Sequence, residues 1–527
     1  MPVWLWNATI GIIILATAVR SRRKRNTHLP PGPTPFPIIG NILDFPREHL
    51  GREFADLTKT FGDVVHLSVL GQSTVVLGSQ KAAYTLLDKR SANYSHRPVS
   101  VMVPLVGYEW LFALMNDGQR WRQHRRAVHP TLTPEIIREY QPILSKVARR
   151  FVRSILRSPQ DLALHIRFTF AAIAMEVVYG IEIREAHNKY FKMVERMAEV
   201  GEAILMPGRF PVEAFPALLY LPSWFPGGGF KNFAANAKRD ILYIVDHLFE
   251  TAKIAMRDGD TSGSIVSHIL GASEDEDAQL EQMCKEVAGT LYVGTYFKLT
   301  NATMEAFFLA MALYPQAQEK AQAELDAVVG AERLPEFSDR PSLPYINALV
   351  QELLRWYPVT PIGVPHRVVA DDEYNGYVIP GGATIFVNVW AILRDPDVYP
   401  DPEDFKPERF LNSRGEFDVG ERDPAEILFG FGRRVCPGRH LAQATLFILC
   451  ACVLAAFKIE RPVDEHGAPK EIKREATDAN VISLVVSRSC SLSFIEVHLD
   501  RHPKVHRYTM QPRSSKLQQY LGLAQDD

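Results

Sequence analysis

The stretch Phe429 to Gly438, reading FGFGRRVCPG, narrows what this chain can become more than any other ten residues in it. It sets one cysteine, Cys436, in a short loop of glycine and arginine directly ahead of an apolar run, HLAQATLFILC. Glycines at 430, 432 and 438 let such a loop turn tightly and approach a flat ligand closely. Arg433 and Arg434 place positive charge beside the cysteine, and a helix predicted to begin after Pro437 points its N-terminus at the sulfur. Both effects favour thiolate over thiol. A thiolate on a tight loop suits a soft axial ligand for haem iron, and a buried structural cysteine beside a helix is the plainer alternative.

Other patterns stand at a distance from this loop. QRWRQHRRAVHP, Gln119 to Pro130, reads as a helix with Trp121 and Arg125 four apart and therefore on one face. PSLPYINALVQELLRWYP, Pro341 to Pro358, is an amphipathic helix ended by proline, with Glu352 and Arg355 spaced to pair directly. FKPERF, Phe405 to Phe410, adds Arg409, which could complete a Glu-Arg-Arg network in which every buried charge needs a partner. Val64 to Gly78 alternates as a hairpin of strands, and Pro365-His366-Arg367 reads as part of another strand. From about Lys81 to Met311 the pattern is mostly helical, broken at 207–229 by a Pro- and Gly-rich, aromatic segment.

Phe429, Gly432, Arg434, Cys436 and Gly438 meet the spacing F-x-x-G-x-R-x-C-x-G in full. This resembles the haem-binding loop of the cytochrome P-450 family, the haem-thiolate monooxygenases, and the order of the other motifs is similar over residues from about 30 to 495. The resemblance implies a mainly α fold with a small β region over residues 42–500. It implies haem b ligated by Cys436, with Phe429 and Gly438 in the cofactor loop and Trp121, Arg125 and Arg434 on the propionates. His366 takes either a propionate contact or a purely structural place. Glu352, Arg355 and Arg409 would brace the core behind the cysteine. The activity implied is insertion of one oxygen atom into a lipophilic small molecule, with electrons passed from NADPH through the flavins of a partner reductase. Arg122, His124 and Arg126 would form a basic patch for that reductase. Segment 207–229 corresponds to the lid over the substrate pocket and could dip into the membrane. The phrasing of the motifs resembles fungal members of secondary metabolism or detoxification.

One stretch departs from the family. The helix crossing above the haem is expected around Gln282 to Leu313, where the family carries an acid followed by the threonine that serves oxygen activation. Matching forward from Ala288-Gly289 puts Phe297-Lys298 at that pair, and matching backward from the FFLAMALYP run puts Lys298-Leu299 there. Neither register keeps it. Thr300 or Lys298 would have to relay protons, helped by water. Otherwise the protein is a haem-thiolate isomerase, dehydratase or non-oxygenating haem protein, or the deduced sequence is wrong over 294–303.

The N-terminus bears on where this chemistry happens. Val3 to Val19 carries no charge and is followed by Arg20, Arg22, Arg23, Lys24 and Arg25. As a helix the apolar run spans about 25 Å, enough for a slightly thinned bilayer. The basic cluster then keeps the body cytosolic and makes 1–20 a single-pass endoplasmic reticulum anchor, with the sequon at Asn7 open to lumenal glycosylation. A cleaved signal peptide ending near Ala16-Thr17-Ala18 is the rival, although its charges would fall on the wrong side. Residues 21–41 continue as a basic, then proline-rich hinge, stiff and extended. A net charge of −2 argues against a nucleic acid partner, and five scattered cysteines argue for a reducing compartment. Residues 501–527 read as a polar tail.

Overall fold

The computed structural model describes residues 28–46, 49–185, 188–205, 209–259, 263–271, 277–296, 298–461 and 508–520. The anchor segment 1–20 and most of the basic stretch behind it lie outside these residues. The described chain is mainly helical with small sheets, and it divides into two compact units.

The smaller unit comprises residues up to Val99 together with Thr360–Ile392 and Gly430–Val435. Its first helix of length, α1 (Leu50–Phe61), lies beside a four-stranded sheet. Strands β1 (Val64–Val69) and β2 (Gln72–Leu77) form the expected hairpin. The turn between them holds Leu70 and Gly71 at φ 50° and 81°. Two consecutive positive φ values match the twist of the flanking strands, which is why two residues suffice. Strand β3 (His366–Arg367) bears out the strand expected there. A two-stranded ladder, β4 (Asp372–Tyr374) with β5 (Tyr377–Ile379), follows it. The order in the larger sheet is β1-β2-β6-β3, with β6 (Thr384–Val387) parallel to β2.

The larger unit comprises Ser100–Val359, Leu393–Phe429 and the chain from Cys436 onward. Its helices of ten residues or more begin with α2 (Gln119–Val128), α3 (Pro134–Arg157), α4 (Leu162–Tyr179), α5 (Lys189–Leu205) and α6 (Phe230–Arg257). They continue with α7 (Ala278–Tyr296), α8 (Lys298–Leu313), α9 (Pro315–Val328), α10 (Pro344–Trp356) and α11 (Arg439–Ala456). Start and stop signals are local. Thr133 caps α3 through its hydroxyl, which accepts from the Ile136 amide, with Pro134 at the first position. Gly180 ends α4 in the left-handed conformation at φ 73°.

The core lies where α3 packs on α11 and α4, and α4 on α7. Helix α11 is apolar all round, the signature of a helix enclosed on every side. The segments Pro159–Tyr179 and Arg439–Ala456 are long and apolar enough to cross a bilayer, but both are mostly buried inside the protein. Strand β7 (Phe457–Glu460) leaves α11 and pairs antiparallel with β8 (Thr509–Pro512). The stretch read from sequence as a polar tail therefore contains a paired strand. The physical reason is tertiary: Tyr508 stacks on Phe308 of α8, and Arg513 reaches Asp326 of α9 at 2.7 Å.

Candidate active site

The loop begins at Phe429, after the short helix Ala425–Leu428, and makes one 3₁₀ turn over Gly432–Arg434 before Cys436. Within the larger unit the Cys436 amide donates to the Phe429 carbonyl at 2.7 Å, closing the loop on itself. Gly430 and Gly432 sit at φ 80° and 54°, where only glycine is unstrained. At Gly432 a Cβ would also stand 2.3 Å from the Leu87 carbonyl oxygen. Gly438 differs, because its φ is an ordinary −82° and a Cβ would make only normal contact, 3.9 Å from the Cys436 sulfur. The backbone needs glycine at two of the three positions, and the third leaves room beside the sulfur.

Cys284, Cys450 and Cys452 are buried, and their thiols are pushed to about 12 or higher by that burial. Cys436 is set as deep but keeps part of its surface exposed. Burial pushes its thiol up as well, against the Gly438 amide and the guanidinium groups of Arg125 and Arg439, which pull it down. Besides the arginines that precede it in sequence, Cys436 thus has Arg125 and Arg439 acting on its sulfur, and desolvation exceeds their effect. A thiolate here would therefore draw on a bound cation beside the sulfur as well as on the loop.

Arg125 comes from α2, whose buried face is Trp121, His124 and Val128. Burial lowers the Arg125 guanidinium from its usual range, the Cys436 sulfur acts in the opposite sense, and Arg439 adds to the lowering. Trp121 and Arg125 thus share a face, as their spacing implied, and that face brings a guanidinium within electrostatic reach of the sulfur.

The smaller unit holds a second cationic cluster. Arg434 donates to the Ser95 carbonyl at 2.8 Å. Arg97, a residue the motifs did not mark, donates to the carbonyls of Val364 and Pro365 at 2.9 and 2.7 Å. Burial and Arg434 push its guanidinium down to about 9. His366 lies between them electrostatically. Burial, Arg97 and Arg434 hold its ring well below the usual histidine range, against the Tyr94 carbonyl 2.8 Å from Nδ1. A carbonyl accepts only, so Nδ1 carries the proton and Nε2 the lone pair. A ring in that state cannot donate to a carboxylate, so here His366 holds Tyr94 while the arginines carry the charge. Each unit thus offers part of a donor set that suits haem: in the smaller unit the buried Arg97 beside Arg434, able to meet a carboxylate, and in the larger unit the half-open Cys436 with Arg125 near its sulfur.

The Glu-Arg-Arg network forms in full. Glu352 and Arg355 are completely buried and pair through two hydrogen bonds of 2.7 and 2.8 Å. Arg409 reaches the same carboxylate at 3.3 Å and the Lys406 amide donates to it at 2.8 Å. The outward nitrogens of Arg355 donate to the carbonyls of Leu393, Pro402 and Asp404. Arg409 donates to Pro400 and Asp401. Lys298 and Thr300 begin α8, but their side chains lie outside the described residues.

A family model described as cytochrome P-450 matches residues 30–479. Among curated relatives, the cytochrome P-450 monooxygenase COX2 of Coprinopsis cinerea is 38% identical over 88% of this chain and 88% of its own. The cytochrome P-450 monooxygenase claR of Ampulloclitocybe clavipes is 36% identical over 100% of this chain and 94% of its own. The tryptamine 4-monooxygenase of Psilocybe cyanescens is 39% identical over 88% and 92%.

Proposed function

Because the chain belongs to the cytochrome P-450 family of oxidoreductases, we propose that it is a haem-thiolate monooxygenase acting on a lipophilic small molecule. The observation that carries the reading is the half-open Cys436 at the head of α11, set apart from the three buried cysteines and faced by Arg125. Cys436 would supply the thiolate that ligates the haem iron, and Trp121 and Arg125 on α2 would meet a propionate by donating N–H groups and positive charge. In the smaller unit, Arg434 with Arg97 would be able to do the same for a carboxylate. Glu352, Arg355 and Arg409 lock the backbone carbonyls of 393–404. When bound, the haem supplies the oxygen-activating chemistry and accepts electrons from a flavin-containing, NADPH-dependent reductase.

Substrate entry fits the segment 209–228, which exposes Phe215, Tyr220, Trp224 and Phe225. A cluster of that size belongs against lipid or a greasy ligand. Together with an anchor at 1–20 and a lumenal Asn7, this exposure supports a catalytic body on the cytosolic face of the endoplasmic reticulum. The likeness to fungal monooxygenases is in keeping with a role in secondary metabolism or detoxification.

The loss of the acid-threonine pair around Phe297–Leu299 favours a second reading, a haem-thiolate isomerase or dehydratase. The test is the reduced spectrum with carbon monoxide, followed by NADPH and oxygen consumption against product. A strongly red-shifted Soret band that Cys436→Ala abolishes supports thiolate ligation. Substrate turnover without NADPH or oxygen would select the second reading, and an unchanged spectrum in Cys436→Ala would remove both.

A further inference from the structure

Helix α2 is fastened to α7 by a buried ionic contact that no motif marks. His124 and Glu286 are 3% and 7% exposed, and Nε2 lies 2.6 Å from the carboxylate. The other ring nitrogen of His124 faces the Arg120 carbonyl at 2.8 Å. The ring is thus held at two points, by the carboxylate on one nitrogen and the carbonyl on the other. The second carboxylate oxygen of Glu286 takes 2.8 Å hydrogen bonds from Arg120 and from Gln282, one turn back on α7. Burial raises this carboxyl, but the donors from His124, Gln282 and Arg120 outweigh it and hold it at about 2, so it stays charged.

The contact extends along α7. Thr290 donates to the Glu286 carbonyl and accepts from the Phe112 amide at 3.3 Å. At Gly289 a Cβ would stand 2.8 Å from the Trp110 ring. Helix α7 therefore meets α2 and the 110–112 loop at close range, with a charged hydrogen bond at the centre. On α2 the held residue is the immediate neighbour of Arg125 and lies three after Trp121. Successive helical side chains are set about 100° apart, so fixing the azimuth of His124 fixes that of Arg125.

We propose that His124 and Glu286 are positioning residues: their pair locks the rotation of α2 so that Arg125, with Trp121, meets the acidic side chains of the haem. The inference rests on the reading of Cys436 and α2 as parts of a haem site. It assigns His124 inward to α7, away from the basic docking patch in which the sequence placed it. A buried, hydrogen-bonded carboxylate serves here as a register pin, because an apolar contact at the same place would let the helix rotate.

The test uses the haem-loaded full chain. His124→Gln keeps one donor at the Nε2 position, and Glu286→Gln keeps the shape without the charge. Each single variant is expected to speed haem transfer to an apoprotein scavenger roughly tenfold, in line with losses on removing residues that orient a cofactor's ligands. The reduction potential should shift in the direction given by Arg125→Ala. The double variant should be no worse than either single, since two members of one pair do not add. Arg120→Ala, on the exposed side, should stay within about twofold.

Three results would overturn the proposal. One is haem loss and potential unchanged in the folded fraction while only the melting temperature falls. Another is single effects that multiply in the double variant. The third is a potential shift opposite to that of Arg125→Ala. A wild-type spectrum without the thiolate band would instead remove the underlying haem reading, so the two failures are told apart.

Discussion

Arg355→Ala removes the most enclosed cation among the described residues, and its cost can be worked from the contacts. The guanidinium is fully buried, makes two hydrogen bonds to Glu352 and donates to three backbone carbonyls between Leu393 and Asp404. Removal leaves the Glu352 carboxylate with Arg409 at 3.3 Å and one amide, and it strands the carbonyls. Breaking a buried pair by deleting one partner costs about 3–5 kcal/mol. At about 1.36 kcal/mol per decade that is roughly two to four decades in the folded-to-unfolded ratio. Since domains hold only about 5–15 kcal/mol in all, the holoenzyme should accumulate poorly. The assay is the thermal half-life of the carbon monoxide band, with urea unfolding where the variant can be purified. Arg355→Lys should rescue little, because an ammonium cannot make the two parallel bonds. A loss under about 1 kcal/mol, or full rescue by lysine, would refute the argument.

Three further outcomes follow from the same contacts. Gly432→Ala forces a Cβ to 2.3 Å from the Leu87 oxygen at a φ of 54°, so the variant should fold without closing the loop and show little haem by absorbance. Glu286, held at about 2 against an ordinary 4.5, contributes stability that is present above about pH 4.5 and lost as pH falls toward 2. In acid unfolding, Glu286→Gln should flatten that limb relative to wild type, and equal slopes would refute the assignment. Replacing Tyr220 and Trp224, 91% and 80% exposed, by serine should weaken binding of anchor-deleted protein to lipid vesicles. Unchanged partitioning in a flotation assay would count against membrane contact by the 209–228 segment.

What sequence could reveal here followed from spacing within one element. Glu352 with Arg355, and Trp121 with Arg125, are pairs along a helix, and the hairpin at Leu70-Gly71 is set by its own two residues. Partners chosen across the fold left no such trace. Arg97 meets Arg434 and His366 through chain segments far apart in sequence, and Glu286 finds His124 only once α2 and α7 pack. The same limit explains Cys436. Its neighbours in sequence are Arg433 and Arg434, but the charges that act on its sulfur include one from α2, and the depth of burial that opposes them belongs to the whole unit. His366 was open between two roles because its tautomer is set by the Tyr94 carbonyl, a residue of another segment.

The pairing of β7 with β8 has a consequence for the order in which this chain can mature. β8 and its flanking Tyr508 and Arg513 are synthesised after β7, α8, α9 and α11, to which they are joined. Until they arrive, the edge of β7 presents unpaired amides and carbonyls, and Phe308 lacks its Tyr508 cover. A nascent chain paused there is sticky in the way unpaired edges are. Closing the ladder also means bridging a long intervening segment, whose entropic cost grows only slowly with its length. The sealing of this edge therefore waits on residues made after the rest of the fold they join, and the interval before they pair is when a chaperone has most to hold.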